Sequence, residues 1–283
     1  MSSKERRFLV SDMDIPSALP TLLTTSIENN FHGFFLHYQP QLCPDSGRLY
    51  GAEALARWSC AGYGNVAPDV FIPMLEETGR IVEFEKWVFR EAASQCKRWA
   101  VRRPDFRMSV NLSCRHLEQA DLGRYAQDEL KRLGLAPSNM MFELTESWPL
   151  LPGVPCQSGK AAAGRKEAAA GGAVVSSLKE TGIRLAMDDF GSGYSSLLSL
   201  QKFPFDLVKI DREFVKGTAR GGAQAAFVPS VTRLCHSVGC QVCLEGVETA
   251  EEYEAVRRLG IEVMQGYYFG RPVPAEEFER LYL

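Results

Sequence analysis

The strongest constraint in this sequence is a rhythm. From residue 108 onward, short apolar runs alternate with helical stretches, and nearly every run ends in an acid, an amide or a lysine. The runs are Met108-Ser109-Val110, Met140-Met141-Phe142, residues 183–187, Leu207-Val208, residues 242–244 and Val263-Met264. They end at Asn111, Glu143, Asp188-Asp189, Lys209-Ile210-Asp211, Glu245 and Gln265. Such alternation specifies an α/β chain with a mainly parallel sheet and helical crossovers. An open doubly wound sheet would gather its site at one switch point behind a glycine-rich phosphate loop. No G-x-G-x-x-G or Walker loop follows any of these runs. Polar residues at many successive strand ends are what a TIM (β/α)8 barrel requires, with its site at the C-terminal mouth. The 283 residues suit one such barrel, which takes about 250.

The first hundred residues extend the pattern. Leu19, Leu22, Leu23 and Ile27 predict a helix over 17–30, followed by a strand over 34–39 that Pro40 stops. A turn at 44–47 leads into a strand over 49–58, whose alternation places Gly51, Glu53, Leu55 and Arg57 on one side. Helices are predicted over 68–78, ended by Gly79, and over 82–100. Residues 1–16 read as a tail or linker and 17–283 as the barrel. One segment breaks the rhythm: residues 149–173 are rich in Pro, Gly and Ala, and read as a flexible insert after the fourth strand.

Composition narrows the chemistry. Hydrophobic residues at 45% supply ample core, and 32 basic against 35 acidic residues leave a net charge of −3. That balance argues against a partner such as a DNA or RNA duplex, which needs a basic face; a small phosphorylated ligand held by local charge or metal remains compatible. No run approaches the roughly 20 apolar residues of a membrane span, and the first residues lack a signal-peptide core. The chain is expected to be cytoplasmic, alone or as part of a larger sensor protein. Cys235, Cys240 and Cys243 have the spacing of part of an iron–sulfur site. Their helical and strand-like context instead favours reduced thiols packed in a core. Four histidines without an H-E-x-x-H pair argue against a zinc hydrolase.

If the strand ends converge, Glu53, Glu143, Asp188, Asp189, Asp211 and Glu245 bring six carboxylates to one mouth, against Lys209 and Arg57. Each like-charge pair repels by about 1–4 kcal/mol at a few ångströms. Either several carboxylates stay protonated or cations bind. Oxygen donors, with Asn111 as a neutral one, select Mg²⁺, Mn²⁺ or Ca²⁺ over zinc. The adjacent Asp188 and Asp189 suit two neighbouring ions, an arrangement that catalyses in-line displacement at phosphorus. A single acid at a strand end is ordinarily a helix N-cap; the constellation is what points to metal.

At this point the sequence resembles a known family. Glu53-Ala54-Leu55, followed by Ala56-Arg57-Trp58, resembles the signature of EAL domains, bacterial phosphodiesterases that hydrolyse cyclic di-GMP. Tyr38-Gln39-Pro40, Ser109-Val110-Asn111, residues 142–147 (FELTES), 188–197 (DDFGSGYSSL), 208–212 (VKIDR), 245–249 (EGVET) and Gln265-Gly266-Tyr267 match in order, so that the resemblance covers residues 18–281. It implies a modified TIM barrel with the first strand antiparallel. It implies two divalent ions, Mg²⁺ or Mn²⁺, held by Glu53, Asn111, Glu143, Asp188, Asp189 and Glu245, with Asp211 close by. Lys209 is expected to contact the attacking water or a phosphate oxygen, and Glu245 is either general base or ligand. Gln39, Leu55, Arg57 and Gln265 correspond to substrate contacts. Glu146 corresponds to the residue that steadies the loop over 190–197, and Glu248 to a supporting acid. The resemblance further implies a homodimer and the product linear 5′-pGpG. A receptor that binds cyclic di-GMP without cleaving it is the alternative, and an enolase-type lyase a remoter one. Ser192 stands where the family usually has Thr. The 45 positions from Glu143 to Asp188 exceed the family pattern through the insert.

Overall fold

A computed structural model describes residues 17–113, 116, 121–145, 174–191, 200–201, 203–221 and 225–283. The expected tail, the insert, Glu146 and Ser192 lie outside the described residues.

The chain begins with α1 (Leu19–Glu28), then β1 (Phe34–Leu42), β2 (Leu49–Cys60) and a short β3 (Gly64–Val66). Helices α2 (Pro68–Glu77) and α3 (Ile81–Ala100) precede β4 (Arg107–Leu112), and α4 (Leu122–Leu133) precedes β5 (Met140–Thr145). A helical stretch over 174–180 leads into β6 (Arg184–Phe190). Then follow β7 (Leu207–Ile210), α5 (Arg212–Arg220), α6 (Phe227–Ser237), β8 (Gln241–Leu244), α7 (Ala250–Val256), β9 (Val263–Gln265) and α8 (Ala275–Tyr282).

Eight strands close in the order β1-β9-β8-β7-β6-β5-β4-β2, with β2 returning to β1 and β3 lying outside on β2. The first strand is antiparallel to both β2 and β9, while β2 and the remaining six run parallel. This is the modified barrel that the resemblance implied.

Two local departures from the sequence reading have physical causes. Strand β1 runs on through Pro40 to Leu42. Tyr38 exchanges backbone hydrogen bonds with Val273 at 2.8 and 3.1 Å, on the side away from β2. Backbone groups alternate, so the amide that Pro40 lacks would point to that side, where β9 reaches only Gln41 and Leu42. Opposite, the β1–β2 register passes from Gln41↔Gly51 to Leu42↔Leu49, which leaves Tyr50 as a bulged residue. The bulge turns the Tyr50 ring into the barrel, where it closes the floor with Met141, Ala186, Leu207, Cys243 and Val263.

Outside the barrel, α2 and α3 bury the wall of β1 and β2 through aromatic packing. Phe34 stacks on Trp58 at 5.3 Å and meets Phe71 and Phe84 edge-on or tilted at 5.5 and 5.1 Å. Such pairs are worth about 0.5–1.5 kcal/mol beyond their area burial. Cys235, Cys240 and Cys243 are free and buried. Cys235 and Cys240 pack in the main core and Cys243 in the barrel floor.

Candidate active site

Strand periodicity alone builds the site. Side chains two residues apart share a face, so the residue two past each floor position also points inward. Met141 leads to Glu143, Ala186 to Asp188, Leu207 to Lys209, Cys243 to Glu245 and Val263 to Gln265. Glu53 and Ser109 are paired at the same level across β2 and β4, and Gln41 is paired with Gln265. A polar layer therefore sits directly on the apolar floor.

Lys209 lies at its centre and is 1% exposed. Its Nζ is 2.6 Å from Glu143, 2.7 Å from Glu245, 3.1 Å from Asp188 and 3.6 Å from Glu53. Burial alone would lower its pKa, but the four carboxylates outweigh that and raise it well above the ordinary lysine value. The amine is charged. One cation cannot neutralise four acids, so the acids diverge. Burial would raise Glu53, but Lys209 and hydrogen bonds from Gln265 and Asn111 hold it below its usual value. Burial and the neighbouring Glu53 raise Glu143 well above the carboxylate range. Burial, opposed by Lys209 but reinforced by Asp188, lifts Glu245 to about 8.

Strand alternation would send Asp188 and Asp189 to opposite faces. The structure overrides it: Asp189 adopts a left-handed φ of 56°, and the β6–β7 register shifts between Met187 and Phe190. Such a conformation is uncommon outside glycine, and Asp is among the residues that reach it. Both carboxylates consequently reach the mouth, and oxygens of Asp188, Asp189 and Glu245 lie within 4.8 Å of one another. Burial and then Asp188 raise the Asp189 pKa.

Amides orient the rest. Asn111 Nδ2 donates to Glu53 Oε1 at 2.8 Å. Gln265 Nε2 donates to Glu53 Oε2 at 2.6 Å and to Gln39 Oε1 at 3.0 Å, while its Oε1 accepts from Gln41 at 2.9 Å. Among the described residues the cluster offers carboxylate oxygens, and the nitrogens of Asn111, Gln265 and Lys209 beside it are already bonded to oxygen. Glu143 Oε1 is buried without a partner, an acceptor that a cation or a proton would satisfy. This donor set fits hard divalent cations.

The cleft above the layer encloses about 420 Å³. Gln39, Glu53, Leu55, Asp188, Asp189, Lys209, Asp211, Glu245, Glu248 and Gln265 line it, and Glu143 lies behind Lys209. Asp211 also N-caps α5, accepting from Glu213 N at 2.8 Å. Arg57 and Asn111 instead line an adjoining apolar cavity of about 330 Å³, with Leu55 shared by both. Arg57 Nη1 donates to Ala56 O at 2.8 Å, so the second cation counted at the mouth from the sequence is absent from the cleft lining. Arg212 takes that place. Its stem presses on Gly246, where a Cβ would lie 2.1 Å from the Arg212 Cβ.

The sequence reading did not single out Gln41, and it quoted Arg212 and Tyr267 within motifs without giving them a role. Gln41 was legible as the second polar residue in Gln39-Pro40-Gln41, two apart and so on one face. Tyr267, half exposed on the cleft rim with Arg271 4.0 Å from its ring, stood in the Gln265-Gly266-Tyr267 motif, but spacing gave it no role.

The EAL domain model matches residues 22–272. The chain is 35% identical over 243 residues to the bifunctional diguanylate cyclase/cyclic di-GMP phosphodiesterase MucR of Pseudomonas aeruginosa, covering 86% of this chain and 33% of that protein. It is 31% identical over 264 residues to the cyclic di-GMP phosphodiesterase PdeR of Escherichia coli, covering 93% and 37%. It thus spans about a third of the length of these curated relatives. A solved PaMucR phosphodiesterase in complex with c-di-GMP superposes with a TM-score of 0.77 at 33% identity, over 90% of this chain and 99% of that one. The EAL enzyme Bd1971, in its form bound to cAMP and cyclic di-GMP, gives a TM-score of 0.82 at 27% identity, over 94% and 68%. The motifs that suggested the family are the strand ends that meet around Lys209, and this chain belongs to the EAL-domain family.

Proposed function

We propose that the chain is a metal-dependent phosphodiesterase that hydrolyses cyclic di-GMP to linear 5′-pGpG. The observation that carries this reading is the Asp188–Asp189–Glu245 cluster beside the buried Lys209, at the mouth of an EAL barrel. Glu53, Asn111, Glu143, Asp188, Asp189, Asp211 and Glu245 are assigned to hold two divalent ions, Mg²⁺ or Mn²⁺. When bound, such ions would lower the pKa of water and offset charge on the phosphoryl oxygens.

The chain's own residues do the rest. Lys209 Nζ keeps its proton and fixes the Glu143, Asp188 and Glu245 carboxylates in one geometry. Glu245, whose pKa burial lifts to about 8 in the empty site, would be ionised with the ions bound and so placed to take a proton as water attacks phosphorus and the bond to the 3′-oxygen breaks. Gln39 and Gln265, hydrogen-bonded to each other, and Leu55 are assigned to the substrate in the cleft, and Arg57 to its flank from the adjoining cavity. Glu248 on the cleft rim acts as a supporting acid. Glu146 is assigned the same role toward the 190–197 loop.

Residues 17–283 would form the catalytic barrel and 1–16 a linker. Leu234 on α6 and Val238 just past its end, at 39% and 44% exposure, are assigned to the contact of a homodimer, which light scattering would read. No helix among the described residues is long and apolar enough to cross a membrane, and free thiols fit a cytoplasmic setting.

The deciding experiment incubates purified protein with cyclic di-GMP and Mg²⁺ or Mn²⁺, with and without chelator, and resolves the nucleotides by chromatography. Linear 5′-pGpG that disappears with chelator is the expected result. Binding without turnover in either metal would replace the enzyme by a receptor.

A further inference from the structure

A buried ion-pair geometry outside the cleft has no place in the mechanism above. Glu85 on α3 and His116, beyond the end of β4, are 9% and 1% exposed. Glu85 Oε2 accepts from His116 Nδ1 at 2.8 Å, and Glu85 Oε1 accepts the backbone N–H of Ser113 at 2.7 Å. An ionised carboxylate only accepts, so Nδ1 carries the proton. Among the described residues no lysine or arginine pairs with Glu85. A buried carboxylate without a strong cation is costly, and this one spends both oxygens on the segment that leaves β4.

That segment needs holding. The apolar cavity of about 330 Å³ separates the ends of β2 and β4 from α2 and α3, and is lined by Phe71, Phe84, Glu85, Asn111, Leu112 and Ser113. Leu112 packs into the core, but the cavity leaves Asn111 and Ser113 on either side of it without close-packed neighbours from this direction. Asn111, two residues before Ser113, is itself exposed, yet its Nδ2 must meet Glu53 Oε1 at 2.8 Å.

We propose that the Glu85–His116 pair is a positioning device. It ties the Ser113 amide to α3, and so holds Asn111 against Glu53 at the metal centre. A packed interface would tolerate small shifts in β4, whereas two short charge-assisted hydrogen bonds fix direction as well as distance. Outer partners of this kind typically govern metal affinity by about 10–100-fold. The proposal rests on the metal reading above for its consequence, but not for its geometry.

The test uses the full chain as wild type, Glu85→Ala, Glu85→Gln and His116→Leu, with Glu85→Ala also made in an Asn111→Ala background. Hydrogen exchange at 111–113 is followed in chelator, and Mn²⁺ binding by calorimetry. Glu85→Ala should speed exchange and weaken Mn²⁺ binding by about tenfold or more. Glu85→Gln, which can still accept from Ser113 and donate to Nδ1 of the other tautomer, should restore most of both. In the Asn111→Ala background Glu85→Ala should cost no further Mn²⁺ affinity. Exchange and binding within about twofold of wild type in folded Glu85→Ala, or additive losses with Asn111→Ala, overturn the proposal. If Glu85→Ala does not fold, His116→Leu decides on the same two readouts. If wild type binds no Mn²⁺ but Glu85→Ala still speeds exchange, the metal reading fails and the positioning of Asn111 stands.

Discussion

Replacing Lys209 by Met keeps the length of the side chain and removes the charge at the centre of the polar layer. The four carboxylates lie 2.6–3.6 Å from its Nζ. At an effective dielectric of about 20, each attraction is worth on the order of 5–6 kcal/mol. Most of that offsets the cost of burying the charges, and the net loss on removing one partner of a buried network is about 3–5 kcal/mol. For a chain of this size that corresponds to a melting point lower by about 6–20 °C in chelator. The loss depends on pH. Without Lys209, Glu143 and Glu245 rise further above their unfolded values and Glu53 loses the cation that holds it down, so each ionised acid destabilises the fold. Stability returns as pH falls through the raised pKa and the groups take up protons. The gap to wild type should therefore shrink toward pH 5.5 and widen as pH rises through about 8, where Glu245 loses its proton in the wild type but keeps it without Lys209. Mg²⁺ should also narrow it by binding the folded form. Scanning calorimetry at several pH values checks this. A gap below about 2 °C at pH 8, or one that ignores pH, would falsify the electrostatic account of the layer.

Because Glu245 holds its proton up to about pH 8 and must release it to ligate, apparent Mn²⁺ affinity should climb by about tenfold per pH unit below that value and then level off; a flat profile from pH 6 to 9 in calorimetry removes Glu245 from the ligand set. Asp189→Asn should keep the melting point in chelator, since Asn accepts the left-handed φ of 56°, whereas Asp189→Ala should lose about 1–2 kcal/mol. Both should bind Mn²⁺ weakly, and equal melting points would show that the backbone there is unstrained. Gly246→Ala combines a φ of 67° with a Cβ set 2.1 Å from the Arg212 Cβ, so it should cost about 2 kcal/mol or more and raise KM by displacing Arg212. Unchanged denaturant midpoint and KM would mean that the loop yields freely.

What could be read in the sequence was what strand periodicity dictates. Floor residue, spacer, polar residue is a pattern of type and spacing, so Glu143, Asp188, Lys209, Glu245 and Gln265 could be assigned to one interior before any coordinates. What periodicity could not supply was whatever depends on a local break in it. Pro40 looked like a stop because the direction of its missing amide depends on a partner more than two hundred residues away. Asp189 faces Asp188 only through a left-handed residue that no alternation rule predicts. Arg57 shares a face with Glu53 by count, but four residues further along β2 it lines the neighbouring cavity. The depth of Lys209 was equally hidden. Its sequence position marks a strand end, whereas its burial follows from the four acids that surround it.

The antiparallel first strand also governs when the site can exist during synthesis. Gln39 and Gln41 are made ahead of most of the barrel, yet Gln265, which bonds both of them and Glu53, follows more than two hundred residues later. The seam that closes the barrel pairs residues 41–42 with 264–265, a separation that makes closure a late and slow event. Until then the hairpin of β1 and β2 has one edge unpaired, and the carboxylates have no shared interior in which to trap an ion. A nascent or prematurely terminated chain thus lacks the assembled site, and translation to the end of the barrel acts as the licence for function.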